Sequence, residues 1–461
     1  MNRIKVKLAW GIILAIGILC GVPASKAGSP EGIRQKVIKL EIPGPQDSAG
    51  GVIAADVNDD GAMDFLVTVP GHLAVYSNEG KKLWIHKTDI VVGCQSESQG
   101  LPGHNGPGVA ASDVDGDGRC EVVFLTKDST VHIVDGRTGR EKYKAKPGLP
   151  KGVTRWELAM PCDLRGTGGE RDILLQATNA KGYRMGKYLT AYNIKQMAAG
   201  GKPLWQTDEF LSCAHNGARI ADLNGDGKDE ILGATLFSAD GKLITKAVGT
   251  RWHMDSVFVA DVRPDIAGLE VVLLEEGANQ VQLLGMGGPI WRVHCRKQEP
   301  QNAALGRFKA GSEEIFIWCR SRYSVHQKPF VFNSNGEMIF EYKMDDVAPQ
   351  GWTASGVEII YCIDWTGQRQ QLACATERHT SGDVCLFEPL MGKFVARIQE
   401  KADRLYVADV YGDWREEIIV LNGSELRIYE NTAKNPRPKY KRLWTDRNYR
   451  RMKQYYNYYS P

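Results

Sequence analysis

The chain has 461 residues, with 58 Lys and Arg against 55 Asp and Glu and a formal net charge of +3. That balance supplies no basic field for nucleic acid or an anionic membrane, so neither partner is expected. Gly is abundant at 50 residues and long amphipathic helical patterns are scarce, which excludes a helical bundle and favours many short strands joined by tight turns.

The first segment reads as a targeting signal. MNRIKVK is basic, LAWGIILAIGILCGV is apolar, and Ser25-Lys26-Ala27 before Gly28 fits a small-residue cleavage site. The apolar run is short for a membrane span. An uncleaved anchor is one alternative. A lipoprotein through Cys20 is another, although Leu19 stands where a small residue is needed. The expectation is a signal peptide over 1–27 and a mature chain over 28–461 without a membrane span. That chain would be secreted or periplasmic, and monomeric.

From Asp56 onward a short acidic pattern recurs: DVNDDGAMD from Asp56, DVDGDGRCE from Asp113 and DLNGDGKDE from Asp222. Oxygen-bearing side chains fall at the first, third, fifth and ninth positions, with Gly at the sixth. A hard cation such as Ca²⁺ needs several oxygens on one tight loop with Gly at the sharp turn. The expected ligands are Asp56, Asn58, Asp60 and Asp64; Asp113, Asp115, Asp117 and Glu121; and Asp222, Asn224, Asp226 and Glu230. The carbonyls of Ala62, Arg119 and Lys228 complete the sets. Apolar strands, not helices, flank each loop, so these are not EF-hands.

Degraded copies begin at Asp163, Asp261, Asp364 and Asp409, and a fainter one at Gly306 has lost its leading Asp. Arg165 and Tyr411 replace an oxygen ligand, so the Asp163 and Asp409 loops are not expected to bind metal. A period of about 40 to 60 residues is a propeller, solenoid or array signature, and it suits one four-stranded blade per repeat. The fold class is therefore all-β: a β-propeller of eight blades over about 45–435, with a closing segment over 436–461.

Between the acidic turns, LAVYSNEGKKLW from Leu73 and VHIVDGRTGREKY from Val131 read as hairpins of outer blade strands. Similar strings occur in quinone-dependent dehydrogenase propellers; here they read as structural. Leu189 to Ala199 reads as a helix inserted between strands. No Cys-x-x-Cys pair marks a zinc site, and most cysteines sit in strand-like runs as small core residues.

Polar residues precede three of the turns at similar offsets: His104-Asn105, His215-Asn216 and His253-Met254-Asp255. In a closed radial fold equivalent positions converge, so these side chains are expected on one rim, around the channel mouth.

DLNGDGKDEILGATLFSADGK, then HMDSVFVADVRPDIAGLEVVLLEE, then ADVYGDWREEIIV, LRIYENT and Tyr449-Arg450 resemble the rhamnogalacturonan lyases of polysaccharide lyase family 11. The resemblance implies an eight-bladed propeller that binds Ca²⁺ and cleaves an acidic polysaccharide by β-elimination. It places Lys401, His253 and Asp255 as catalytic residues, and His215, Asn216, Tyr449 and Arg450 as substrate contacts, to which the shared offset before the turns adds His104 and Asn105. Arg450 or a bound Ca²⁺ would face the uronate carboxylate. The chain departs from the family in its short tail, where Tyr458 and Tyr459 are the available substitutes for a functional tyrosine. A non-catalytic propeller with integrin-like acidic repeats, binding glycan or protein, is the alternative.

Overall fold

The eight turns read from the sequence each join the first two strands of a four-stranded antiparallel sheet, and eight such sheets make up the computed structural model. It describes residues 32–45, 49–92, 106–178, 185–212, 217–251, 254–295, 299–321, 327–353, 356–377 and 381–455. Blades 1 to 7 span 51–87, 109–145, 156–207, 219–246, 254–294, 300–341 and 357–398. Blade 8 takes three strands from 404–431 and its outermost strand, Ile33–Lys39, from the other end of the chain.

That outer strand runs antiparallel to Glu425–Asn431, from Ile33 opposite Asn431 to Lys39 opposite Glu425. Closure of the ring therefore rests on the N-terminal strand, outside the blade limits expected from the repeats. The segment expected to close the ring has a different place. It forms a 3₁₀ turn at Leu443–Thr445 and a terminal helix, Arg447–Tyr455, described below.

The core is a closed series of layers between blades. Ile53, Leu66 and Val75 of blade 1 face Val109, Val122 and Val134 of blade 2. Similar clusters fill every remaining gap around to Tyr406, Ile419 and Ile428 of blade 8 against Val52, Phe65 and Ala74 of blade 1. Each fully buried aliphatic side chain in such a layer contributes about 1.5–3 kcal/mol. Inner strands carry small residues, as in Gly51–Ala55 (GVIAA) and Val109–Ser112 (VAAS), where eight strands crowd around one axis.

A second repeat sets the spacing of the outer strands. Trp84, Trp205 and Trp291 each donate the indole N–H to a hairpin carbonyl of the next blade, at Gly136, Ala239 and Ser334. Each ring lies over a glycine of that hairpin: Gly139, Gly241 and Gly336, all with φ near +70 to +80°. A Cβ on Gly241 would meet the Trp205 ring at 2.6 Å.

The stretch from Leu189 was expected to be helical. Its first part is strand, Met185–Asn193, with Ile173 opposite Tyr192, and only Ile194–Ala198 forms a helix, α1. Pairing with two neighbouring strands outweighs the weak local helix preference there. The hairpins at His72–Lys87 and Val131–Ala145 are as expected. Seven described cysteines are free thiols, five of them buried.

Candidate active site and acidic loops

Because every blade starts with its inner strand, all eight inner strands run in one direction. The acidic turns collect at the rim where these strands end, and the opposite rim is where they begin. The terminal helix (Arg447–Tyr455) lies across the channel at the acidic-loop end. Asp446 caps it by accepting the Tyr449 N–H at 3.1 Å. Arg451, 3% exposed, pairs with Asp229 at 2.7 Å and with Glu170 at 2.9 Å. Arg447 also pairs with Asp229 (2.9 Å), and Lys453 pairs with Glu416 (2.5 Å). The Gln454 amide closes on both backbone groups of Ala111, and the Tyr455 hydroxyl donates to the Pro161 carbonyl. The helix thus touches blades 1, 2, 3, 4 and 8, and Lys453 lies over the Tyr361 ring of blade 7. It turns that part of the channel into a cup that opens at the strand-start rim.

Charged side chains line this cup where an all-apolar barrel would suffice. Arg219 and Glu157 line one small pocket of about 20 Å³, together with Gln454 and Tyr455. Burial pushes the Glu157 carboxyl up to about 7, against the pull of the Arg155 guanidinium 2.9 Å away. On the opposite wall Asn302, Tyr361, Asp364 and Lys453 line a cavity of about 150 Å³. Asp364 is raised to about 7 by burial and by the neighbouring Glu416. Arg320 pairs with Glu358 of the next blade, and Arg404 donates to the carbonyls of Ala49 and Gly50, so both guanidiniums tie blades together at the rim. Sequence reasoning passed over Arg219, Glu157 and Glu358. The available signal was a charge at the head of an otherwise apolar strand, as in ARIAD, WELAM and VEIIY.

Of the described residues expected to act together, Asp255 and Lys401 lie at the strand-start rim, and Tyr449 and Arg450 at the acidic-loop end. Asp255 is at the start of the blade 5 inner strand, 1% exposed, with its carboxylate accepting the Glu276 N–H at 2.9 Å. Lys401 is exposed in the connection from blade 7 to blade 8. Its own N–H is held by Glu400, whose carboxylate is fixed by Arg427 and Tyr429 away from the axis. Tyr449 and Arg450 lie at the other end of the channel, on the terminal helix. The Tyr449 hydroxyl accepts from the Asp409 N–H and donates to Glu416, and Arg450 donates to the Trp444 carbonyl. His104, Asn105, His215, Asn216 and His253 lie outside the described residues.

The acidic turns share one internal design. The acid at the ninth or tenth position accepts the N–H of the second residue: Asp64 from Val57, Glu121 from Val114, Asp172 from Leu164, Glu230 from Leu223 and Glu417 from Val410. The leading Asp accepts from the loop's own backbone, as Asp56 does from Asp60 and Gly61 and Asp222 from Gly225 and Gly227. In the Asp56 and Asp222 loops the closing acids have no full counter-charge, and burial pushes Asp64 and Glu230 to about 7. That surplus of inward-facing carboxylate fits a divalent cation. In the Asp163 loop Arg165 pairs with Asp172 at 2.9 Å and supplies the positive charge itself. In the Asp113 loop, Lys142 pairs with Asp115, Asp117 and Glu121. The Gly306 copy has no leading acid because a Cβ there would meet Cys362 Sγ at 2.5 Å.

Residues 176–459 match the family model described as rhamnogalacturonan lyase family 11, C-terminal domain. The chain is similar to the rhamnogalacturonan exolyase YesX of Bacillus subtilis (strain 168), 26% identical over 382 residues, covering 69% of this chain and 60% of that protein. It is also similar to the rhamnogalacturonan endolyase YesW of the same organism, 26% identical over 391 residues, covering 72% and 57%. The chain thus spans less than two thirds of the length of these relatives. The crystal structure of exotype rhamnogalacturonan lyase YesX superposes with a TM-score of 0.69 at 19% identity, covering 93% of this chain and 81% of that one.

Proposed function

The chain belongs to rhamnogalacturonan lyase family 11, and from that premise we propose that it cleaves rhamnogalacturonan, or a related uronate-containing polysaccharide, by β-elimination in the cup. The observation that carries this reading is the family match over 176–459, which takes in blades 4 to 8 and the helix that floors the cup. Elimination removes the C5 proton of a uronate and expels the oxygen on C4. That proton is α to a carboxylate, so charge grows on the carboxylate oxygens as it leaves. A guanidinium stabilises this charge with two parallel hydrogen bonds. Arg219 is the guanidinium of the cup wall suited to that role. The base should titrate near the working pH. Glu157, buried against the Arg155 guanidinium and lining the same small pocket as Arg219, has its carboxyl near 7 and meets that requirement. Asp255 is assigned a positioning role, because its carboxylate holds the Glu276 N–H.

Calcium belongs to this reading as a structural ion. Asp56, Asn58, Asp60 and Asp64 would hold one ion, and Asp222, Asn224, Asp226 and Glu230 another. Bound there, it would neutralise the buried carboxylates and fix the turns at the ends of the inner strands. Cleavage after Ala27 and export accompany the proposal, as suits an enzyme on a polymer outside the cell.

Glu157→Gln tests the assignment on rhamnogalacturonan, followed by the ultraviolet absorbance of the unsaturated uronate product. Loss of the base lowers kcat by about 10²- to 10⁴-fold, and Arg219→Lys lowers kcat more than it raises KM. Wild-type kcat in Glu157→Gln would remove Glu157 from the mechanism.

A further inference from the structure

We infer that Lys142 is the resident cation of the Asp113 loop, and that this loop, despite its intact consensus, takes no calcium. The inference rests on the calcium reading of the Asp56 and Asp222 loops and divides the three consensus loops into two kinds.

The geometry is specific. The Lys142 ammonium lies 2.7 Å from Asp115, 2.9 Å from Asp117 and 2.7 Å from Glu121. These are the third, fifth and ninth positions, the side chains that a metal at the centre of the loop would draw on. The first-position acid is also engaged, since Arg171 pairs with Asp113 Oδ2 at 3.2 Å. The ammonium donates to Asp117 and Glu121 and makes a third ion pair with Asp115.

The repeat shows that Lys142 stands at a special place. In six blades the fourth strand carries a one-residue bulge opposite the third. Lys142 is the bulged residue in blade 2, between Tyr143 opposite Ile133 and Glu141 opposite Val134. The same position holds Leu83 in blade 1 and Ile244 in blade 4. It holds Ile290, Ile339 and Val395 in blades 5, 6 and 7. Among these bulges only blade 2 carries a cation. In the blades of the other two consensus loops the same position is aliphatic, and the nearest cation to the Asp222 loop is Arg447, 3.7 Å from Asp222 Oδ2. Among the described residues no ion pair reaches Asp56, Asp60 or Asp64. Arg165 in the Asp163 loop makes the same exchange from within its own turn. A divalent ion entering the Asp113 loop would have to displace the ammonium from three carboxylates and leave it beside the metal, where like charges repel.

Calcium bound per chain, measured on protein dialysed against buffered calcium, tests the inference. Lys142→Leu, which installs the blade 1 residue, is expected to bind one more ion per chain than the wild type. Asp117→Asn is expected to leave the wild-type count unchanged, and it decides the matter alone should Lys142→Leu fail to fold. A wild-type count that falls by one in Asp117→Asn, or no gain in Lys142→Leu, would overturn the inference. Asp226→Asn reports separately on the calcium reading, which requires that it lose one ion.

Discussion

Removing one guanidinium from the floor of the cup should loosen the terminal helix by a calculable amount. In Arg451→Met the apolar stem is kept and two ion pairs are lost, to Asp229 at 2.7 Å and Glu170 at 2.9 Å. Breaking a buried pair by deleting one partner typically costs about 3–5 kcal/mol, because the other charge stays buried. The low end applies here. Asp229 keeps Arg447, and Glu170 keeps the Ser112 hydroxyl at 2.6 Å. The expected loss is therefore about 3 kcal/mol at neutral pH, read as a drop in the denaturant midpoint. The variant should also change the acid limb. Burial would raise Glu170, but Arg451 and Ser112 hold it down at about 2, below its ordinary 4.5. A depressed carboxyl gives stability that is full above pH 4.5 and is lost as pH falls towards 2. Without Arg451 that loss on acidification should be smaller. A midpoint shift worth less than about 1 kcal/mol would place the helix in the range of exposed ion pairs, and the account of a helix locked across the channel would fail.

Gly241→Ala should destabilise the chain by about 1–3 kcal/mol through contact with the Trp205 ring, on top of the strain of its positive φ. Gly200→Ala, also at positive φ but with open space around it, is the control, and equal melting temperatures for the two would refute the Trp–Gly spacing argument. Glu157, raised from 4.5 to about 7, makes the folded state the tighter proton binder. Its contribution is full below pH 4.5 and fades as pH rises through 7, so Glu157→Gln should flatten the stability profile across that window. Excess chelator should lower the wild-type melting temperature, because an ion at about 100 times its Kd adds about 2.7 kcal/mol per site; Asp222→Asn should shrink the effect, and an unchanged melting curve would contradict it.

The repeat was legible because its chemistry is local. An Asp that caps a turn, a Gly at positive φ and an acid that accepts the second residue's N–H all lie within ten residues. Even the copy at Gly306 could be placed, and its missing acid has a steric cause in Cys362. Long-range events left less trace. Ile33–Lys39 pairs with a strand nearly the whole chain away, and nothing local in IRQKVIK names that partner. The terminal helix was invisible as a floor, since the partners of Arg447, Arg451 and Lys453 are Asp229, Glu170 and Glu416, which lie far away in sequence or on other blades. That fold-back also moved Tyr449 and Arg450 away from Asp255. The cup wall was missed for a related reason. Arg219 and Glu157 come from neighbouring blades, and only the packing of one blade on the next brings them into one pocket.

Whether this propeller cleaves uronate-containing rhamnogalacturonan, as proposed, is decided by one experiment. The direct measurement is the ultraviolet absorbance of purified wild-type protein incubated with rhamnogalacturonan, in parallel with Arg219→Lys. The account predicts a steady rise from the conjugated unsaturated uronate in the wild type and a much slower one in the variant. No rise from folded, calcium-supplied wild-type protein on rhamnogalacturonan or any other uronate polymer would contradict it.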